Sequence, residues 1–120
     1  MAKFTFNVSQ RTAISAVLKA KKSEDIDVLL SHRDMAKQFE LTAAEKEKIQ
    51  WMEVPGVSAR YKDEKDGEEF RLDVEFDVDQ PTIRAIISQT KQFASEKKIG
   101  AANDDILSVY ELLTAPAVEK

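Results

Sequence analysis

From Phe70 to Val78 apolar and charged positions alternate without a break. Phe70, Leu72, Val74, Phe76 and Val78 fall on one side, and Arg71, Asp73, Glu75 and Asp77 on the other. A period of two marks a strand with one buried and one solvated face. Just before it, Asp66-Gly67 has the composition of a tight hairpin turn. With that pair at the tip, Tyr61 opposes Leu72, Ala59 opposes Val74 and Val57 opposes Phe76. Arg60 then opposes Asp73, Lys62 opposes Arg71 and Ser58 opposes Glu75. A slip of one residue would set apolar against polar side chains throughout, so the pattern predicts this register. Lys3 to Val8 alternates in the same way, with Phe4, Phe6 and Val8 on one face. An isolated hairpin is marginal in water, and this segment is therefore predicted to complete a three-stranded antiparallel sheet.

Elsewhere the apolar positions recur every three or four residues, as on helices that cover such a sheet. Ser9 is a candidate cap for a helix from Gln10 to about Lys21, striped by Ala13, Ile14, Val17 and Leu18. Ser23 to Phe39 fits a helix through Ile26, Leu29, Leu30 and Ala36, although Ile26, Val28 and Leu30 would also suit a short strand. Thr42-Ala43-Ala44-Glu45 is a capping box opening a helix to about Met52, ended by Pro55-Gly56. Gln80-Pro81 opens another, with Ile83, Ile86, Ile87, Thr90 and Ala94 inward and Gly100 as its terminating residue. Asn103 or Asp104 begins the last, with Ile106, Leu107, Tyr110 and Leu113 inward. About five helices on one face of the sheet make an α+β domain spanning residues 1–120, with no linker or repeat to divide it.

Composition narrows the chemistry. The chain has 120 residues, no Cys and one His, which excludes disulfides, thiol nucleophiles and multi-histidine metal sites. Nothing approaches the apolar run of a membrane helix, and the first eight residues alternate in polarity where a signal peptide would be continuously apolar. A cytoplasmic protein without membrane association is expected. The net charge of −4 is unevenly spread: residues 1–53 sum to +1, residues 54–80 to −5 and residues 81–120 to zero. One central stretch therefore carries the excess acidity, and a nucleic-acid partner is disfavoured.

The candidate chemistry clusters there. Asp73, Glu75 and Asp77 project from one strand face, but no second element supplies the further ligands that a hard cation needs. Asp63 to Gly67 superficially resembles a calcium loop, yet counting back from the glycine puts Lys62 at the first ligand position. His32 has Ser31 and Asp34 too near in sequence to assemble a hydrolase triad. Three dispersed glycines give no phosphate loop. Met35 to Trp51 can be read as a helix-turn-helix followed by a wing at Asp63 to Glu69. Glu45 and Glu47 on the recognition helix and the acidic wing oppose DNA. Trp51 is expected to fill a seam between helix and sheet. Phe93, beside the main stripe of its helix, points to a homodimer contact.

No catalytic residue and no cofactor is assigned. The reading is of a non-enzymatic interaction or regulatory protein. It would dock a protein partner of basic surface through Arg60, Lys62, Asp66, Glu68, Glu69, Asp73, Glu75 and Asp77. The alternatives are a DNA-binding regulator using Thr42 to Met52 and a metal-dependent enzyme using Asp73, Glu75 and Asp77.

Overall fold

The helix starts are set by short polar side chains that accept hydrogen bonds from otherwise unpaired backbone N–H groups. In a computed structural model describing residues 2–55 and 59–115, the order is β1 (Ala2–Phe6), α1 (Val8–Lys19), α2 (Ile26–Lys37), α3 (Ala43–Lys48), β2 (Val74–Val78), α4 (Gln80–Ser95) and α5 (Asp104–Thr114). Thr42 caps α3 through the expected box, its hydroxyl accepting from Glu45 N–H while the Glu45 carboxylate accepts from Thr42 N–H. Asp79 caps α4, with Pro81 in the first turn. Two caps differ from expectation. Asn7, not Ser9, opens α1 and forms a reciprocal box with Gln10, which draws Val8 out of the strand and into the helix. Asp25 caps α2, two residues beyond the expected start at Ser23, and the segment is helical as the periodicity of Ile26 to Ala36 suggested.

Two helix ends adopt a left-handed residue without glycine. At the end of α3, Gln50 has φ 56°, and Trp51 N–H reaches Lys46 O at 2.8 Å. At the end of α4, Lys97 has φ 60°, and Lys98 N–H reaches Phe93 O at 2.8 Å. Both are Schellman-type closures. The termination expected at Gly100 thus falls three residues earlier. Gly100 instead donates its N–H to the Asn103 side chain ahead of α5.

The sheet has two strands rather than three. β1 pairs antiparallel with β2 in the register Ala2 with Val78, Phe4 with Phe76 and Phe6 with Val74. Of the predicted partner, residues 57–65, the described part from Ala59 to Lys65 does not pair with β2. A short antiparallel hairpin does close in this region, but through a single bridge between Met52 and Arg60. Val57 and Ser58 lie outside the described residues. Asp66-Gly67 is not a two-residue hairpin turn: Asp66 has no positive φ, and Gly67 at φ 156°, ψ 145° leads into a 3-10 turn over Glu68–Phe70. The second edge of β2 stays open to residues 59–65, and the physical reason lies in that segment itself. Ala59 and Tyr61 are followed by five consecutive charged residues, whereas β1 brings two phenylalanines. Phe4 lies opposite Phe76, and the rings of Phe6 and Phe76 lie 6.0 Å apart. Cross-strand aromatic pairs are among the stronger sheet contacts.

The helices cover one sheet face, as expected. Phe6, Phe39, Val78, Ile14, Leu18, Ile86 and Val109 are fully buried in the core between them. α1 is central and packs on α2, α4 and α5. Of the residues expected on apolar faces, Ile26, Leu30 and Ala94 are exposed, while Leu107, Tyr110 and Leu113 are half-buried around the buried Ile106 and Val109.

A charged residue lies inside this core. Arg11 on α1 is only 3% exposed. Its guanidinium donates to both Glu45 carboxylate oxygens, at 3.0 and 2.9 Å, and to the carbonyls of Phe39 and Glu40, at 3.2 and 2.9 Å. It also lies 5.1 Å from the centre of the Phe76 ring. The hydrogen bond from Arg11 holds the Glu45 carboxyl below the ordinary glutamate value of 4.5. Because the native pKa is depressed, the pair stabilises the fold fully above about pH 4.5 and loses that effect as pH falls through the native value. Glu45→Gln should cost about 2 kcal/mol at pH 7, since it leaves a buried guanidinium under-compensated. Urea unfolding at pH 7 and pH 3 should show the gap between the two proteins closing in acid. Gln50→Gly and Lys97→Gly should each stabilise by about 0.5–1 kcal/mol in thermal unfolding, by relieving a left-handed backbone.

Candidate functional site

Alternation along β2 turns Glu75 and Asp77 outward, away from Val74, Phe76 and Val78, and Asp73 lies exposed just before the strand. The antiparallel pairing with β1 brings Lys3 to this face. Its ammonium sits 3.7 Å from Glu75 and 3.6 Å from Asp77. These groups are well exposed, so each contact contributes little to stability. A second cation, Arg71, organises the adjoining turn. Its Nε donates to Asp73 at 2.8 Å, and its Nη1 lies 3.7 Å from Glu64 and 3.6 Å from Glu68. The Asp73 hydrogen bond first, and the charges of Asp73, Glu64 and Glu68 after it, raise the Arg71 pKa above its ordinary value, so it stays protonated.

The turn itself is held by its own carboxylates. Asp66 accepts from Asp63 N–H at 3.1 Å, and Asp63 accepts from Lys65 N–H at 2.9 Å. Asp66 N–H closes back on Asp63 O at 2.9 Å. Aspartates favour such turns because the short side chain mimics a backbone acceptor. Lys48 at the end of α3 then anchors the turn by donating to Glu69 O at 2.7 Å.

The expected site residues separate into two groups. Glu68, Asp73, Glu75 and Asp77 belong to one acidic surface with Glu64, and Asp66 and Glu69 are exposed in the same turn. Arg60 and Lys62 do not oppose Asp73 and Arg71 across a hairpin. Arg60 pairs through its backbone with Met52, both hydrogen bonds at 2.7 Å. Lys62 donates its backbone N–H to Ile49 O at 2.8 Å and places its ammonium 5.3 Å from the Phe70 ring centre. Lys3 was missed as the counter-charge. The outward parity of its strand was readable, but its pairing with β2 was not.

The cleft between this turn and the β1–α1 junction, lined by Asn7, Tyr61, Glu64, Arg71 and Asp73 among others, has a volume of about 60 Å³. Small-molecule sites usually run to about 300–1,000 Å³, so the surface presents charge rather than a pocket. Among the described residues no three Asp, Glu or His side chains converge as a metal ion requires. Nor is any described helix long and apolar enough to cross a membrane. His32 sits on α2, its Nδ1 3.0 Å from the Val28 carbonyl. Phe93 is half-buried against the core beneath the Lys98 ammonium. Trp51 stacks on Tyr61 at 5.6 Å beside α1, whereas the sequence placed it between helix and sheet.

No protein-family model, curated protein or solved structure matches the chain.

Gly67 sets the direction in which Glu68 and Glu69 leave the turn. Its φ and ψ lie in a region nearly reserved for glycine, and an added Cβ would fall 2.5 Å from a Glu69 carboxylate oxygen. Gly67→Ala should destabilise by about 1–3 kcal/mol in denaturant unfolding. A neutral result would show that the turn has no need of this backbone.

Proposed function

We propose that this protein is a small non-enzymatic interaction or regulatory module that docks a protein partner of basic surface through the face of β2 and the adjoining turn. The observation that carries this reading is an imbalance. Glu64, Glu68, Asp73, Glu75 and Asp77 form one continuous surface served by two cations, Lys3 and Arg71. Asp63, Asp66 and Glu69 extend it, with Lys65 in the turn, Lys48 on the Glu69 carbonyl and Lys62 over the Phe70 ring, so carboxylates still outnumber cations. Such a surface steers an oppositely charged partner and sets orientation more than it supplies affinity. The packed sheet beneath holds the strand carboxylates in register, so their spacing is fixed before any partner arrives. Cytoplasmic residence and homodimerisation through Phe93 remain part of the same reading, and both are open to direct measurement.

The other two readings gain nothing comparable. A recognition helix would have to be α3, which has six residues and commits Glu45 to Arg11. The would-be wing is a carboxylate-lined turn, which repels phosphate. Among the described residues, no further ligand joins the strand carboxylates spaced along one face.

Affinity capture from native lysate, with identification of what co-purifies, tests the proposal. The partner should be retained at low ionic strength and released by salt. Combined Asp73→Lys, Glu75→Lys and Asp77→Lys should weaken capture by about tenfold or more, as charge reversal in a complementary interface does. Lys91→Glu, on the exposed side of α4, should leave it unchanged. Equal capture by the charge-reversed protein would reduce this face to a solubilising surface.

A further inference from the structure

A groove runs between α1 and the connection from α2 to α3, apart from the acidic face. Arg11 and Ser15 line it from α1, Phe39 and Leu41 from the connection, Lys46 from α3, and Trp51 just beyond. Its volume is about 290 Å³, near the lower bound for sites that take small organic molecules.

The charges around it nearly cancel, and what remains is informative. Arg11 is matched by Glu45 at 2.9 Å. Glu40, on the rim, is matched by Lys19 at 2.9 Å. Lys46 has no carboxylate within salt-bridge distance among the described residues, and its ammonium lies 5.7 Å from the centre of the Trp51 ring. The groove thus keeps a net positive charge at Lys46, unpaired though within the field of Glu40 on the rim, beside an aromatic and aliphatic wall. The Trp51 indole N–H is buried and has no hydrogen-bond partner among the described residues, so the groove offers its ring rather than a donor on that side.

We propose that this groove binds a small organic monocarboxylate with an aromatic or branched aliphatic body. The apolar part would lie against Phe39, Leu41 and Trp51, and the carboxylate would meet Lys46. The single residual charge favours one carboxylate over a phosphate or a dicarboxylate, which would bring more negative charge than the groove compensates. The assignment is independent of the acidic face, which contributes no residue to the groove.

Trp51 is the sole tryptophan of the chain, so its emission reports on this place alone. Titrating the full chain with 3-phenylpropionate should give a saturable change in Trp51 emission. The neutral analogue 3-phenylpropan-1-ol should bind about tenfold more weakly, as expected when a charge-assisted contact is lost. Lys46→Gln should reduce affinity for the acid by a similar factor, leave affinity for the alcohol unchanged and leave the melting temperature within a degree or two of the parent. Saturation-transfer NMR on the same ligands guards against an emission change too small to read. No saturable binding by either method, equal binding of acid and alcohol, or an acid affinity indifferent to Lys46→Gln would each overturn the proposal.

Discussion

One guanidinium ties the layers of this domain together. Arg11 projects from the central helix and meets the last carbonyls after α2, the first-turn glutamate of α3 and the ring of Phe76 on β2. Taking such a charge out of water is costly, and the attraction of Glu45 offsets that cost only because nearly every donor finds an acceptor in good geometry. The arrangement therefore contributes definition more than raw stability: a shifted α3 or a rotated α1 would leave a buried charge without partners. Glu45 serves twice, capping its own helix through Thr42 and closing the ion pair with Arg11. That double use fixes where α3 begins, and with it the position of Lys46 and Trp51 along the groove.

The same constraint reaches the acidic surface. Phe76 lies beneath Arg11 on the buried side of β2, so the outward side carries Glu75 and Asp77 by the parity of the strand. A two-stranded sheet has two free edges, and the β2 carbonyl of Asp77 is met by the Gln38 side chain at 2.8 Å. Charged side chains on the outward face further discourage pairing with another chain. The acidic face thus has a structural use even before a partner is considered. Its carboxylates run on into the turn, since Arg71 joins Glu64 and Glu68 to Asp73 just before β2.

Much of the local structure was legible along the chain because it rests on neighbours in sequence. The alternation from Phe70 to Val78 correctly separated buried from exposed side chains over β2. The Thr42 box and the proline after Asp79 located two helix starts. Errors arose where two local signals competed. Ser9 and Asn7 are both good caps, and Asn7 won because Gln10 returns its hydrogen bond. Asp66-Gly67 carries the composition of a hairpin turn, yet the aspartates of the turn hydrogen-bond locally and the chain passes into a 3-10 turn. Arg11 gave no signal at all, since a lone arginine on an amphipathic helix is ordinarily solvated.

The amino-acid sequence by itself determined the α+β composition, which residues of β2 face water, and the concentration of negative charge between Asp63 and Asp79. All three depend on periodicity or composition within a few residues. Tertiary structure decided which segment pairs with β2, where Arg11 is buried, and which cations stand beside the carboxylates. Those outcomes compare segments far apart in the chain. Phe4 and Phe6 give β1 aromatic surface to bury against β2, whereas the nearer segment has too little apolar surface to hold the second edge.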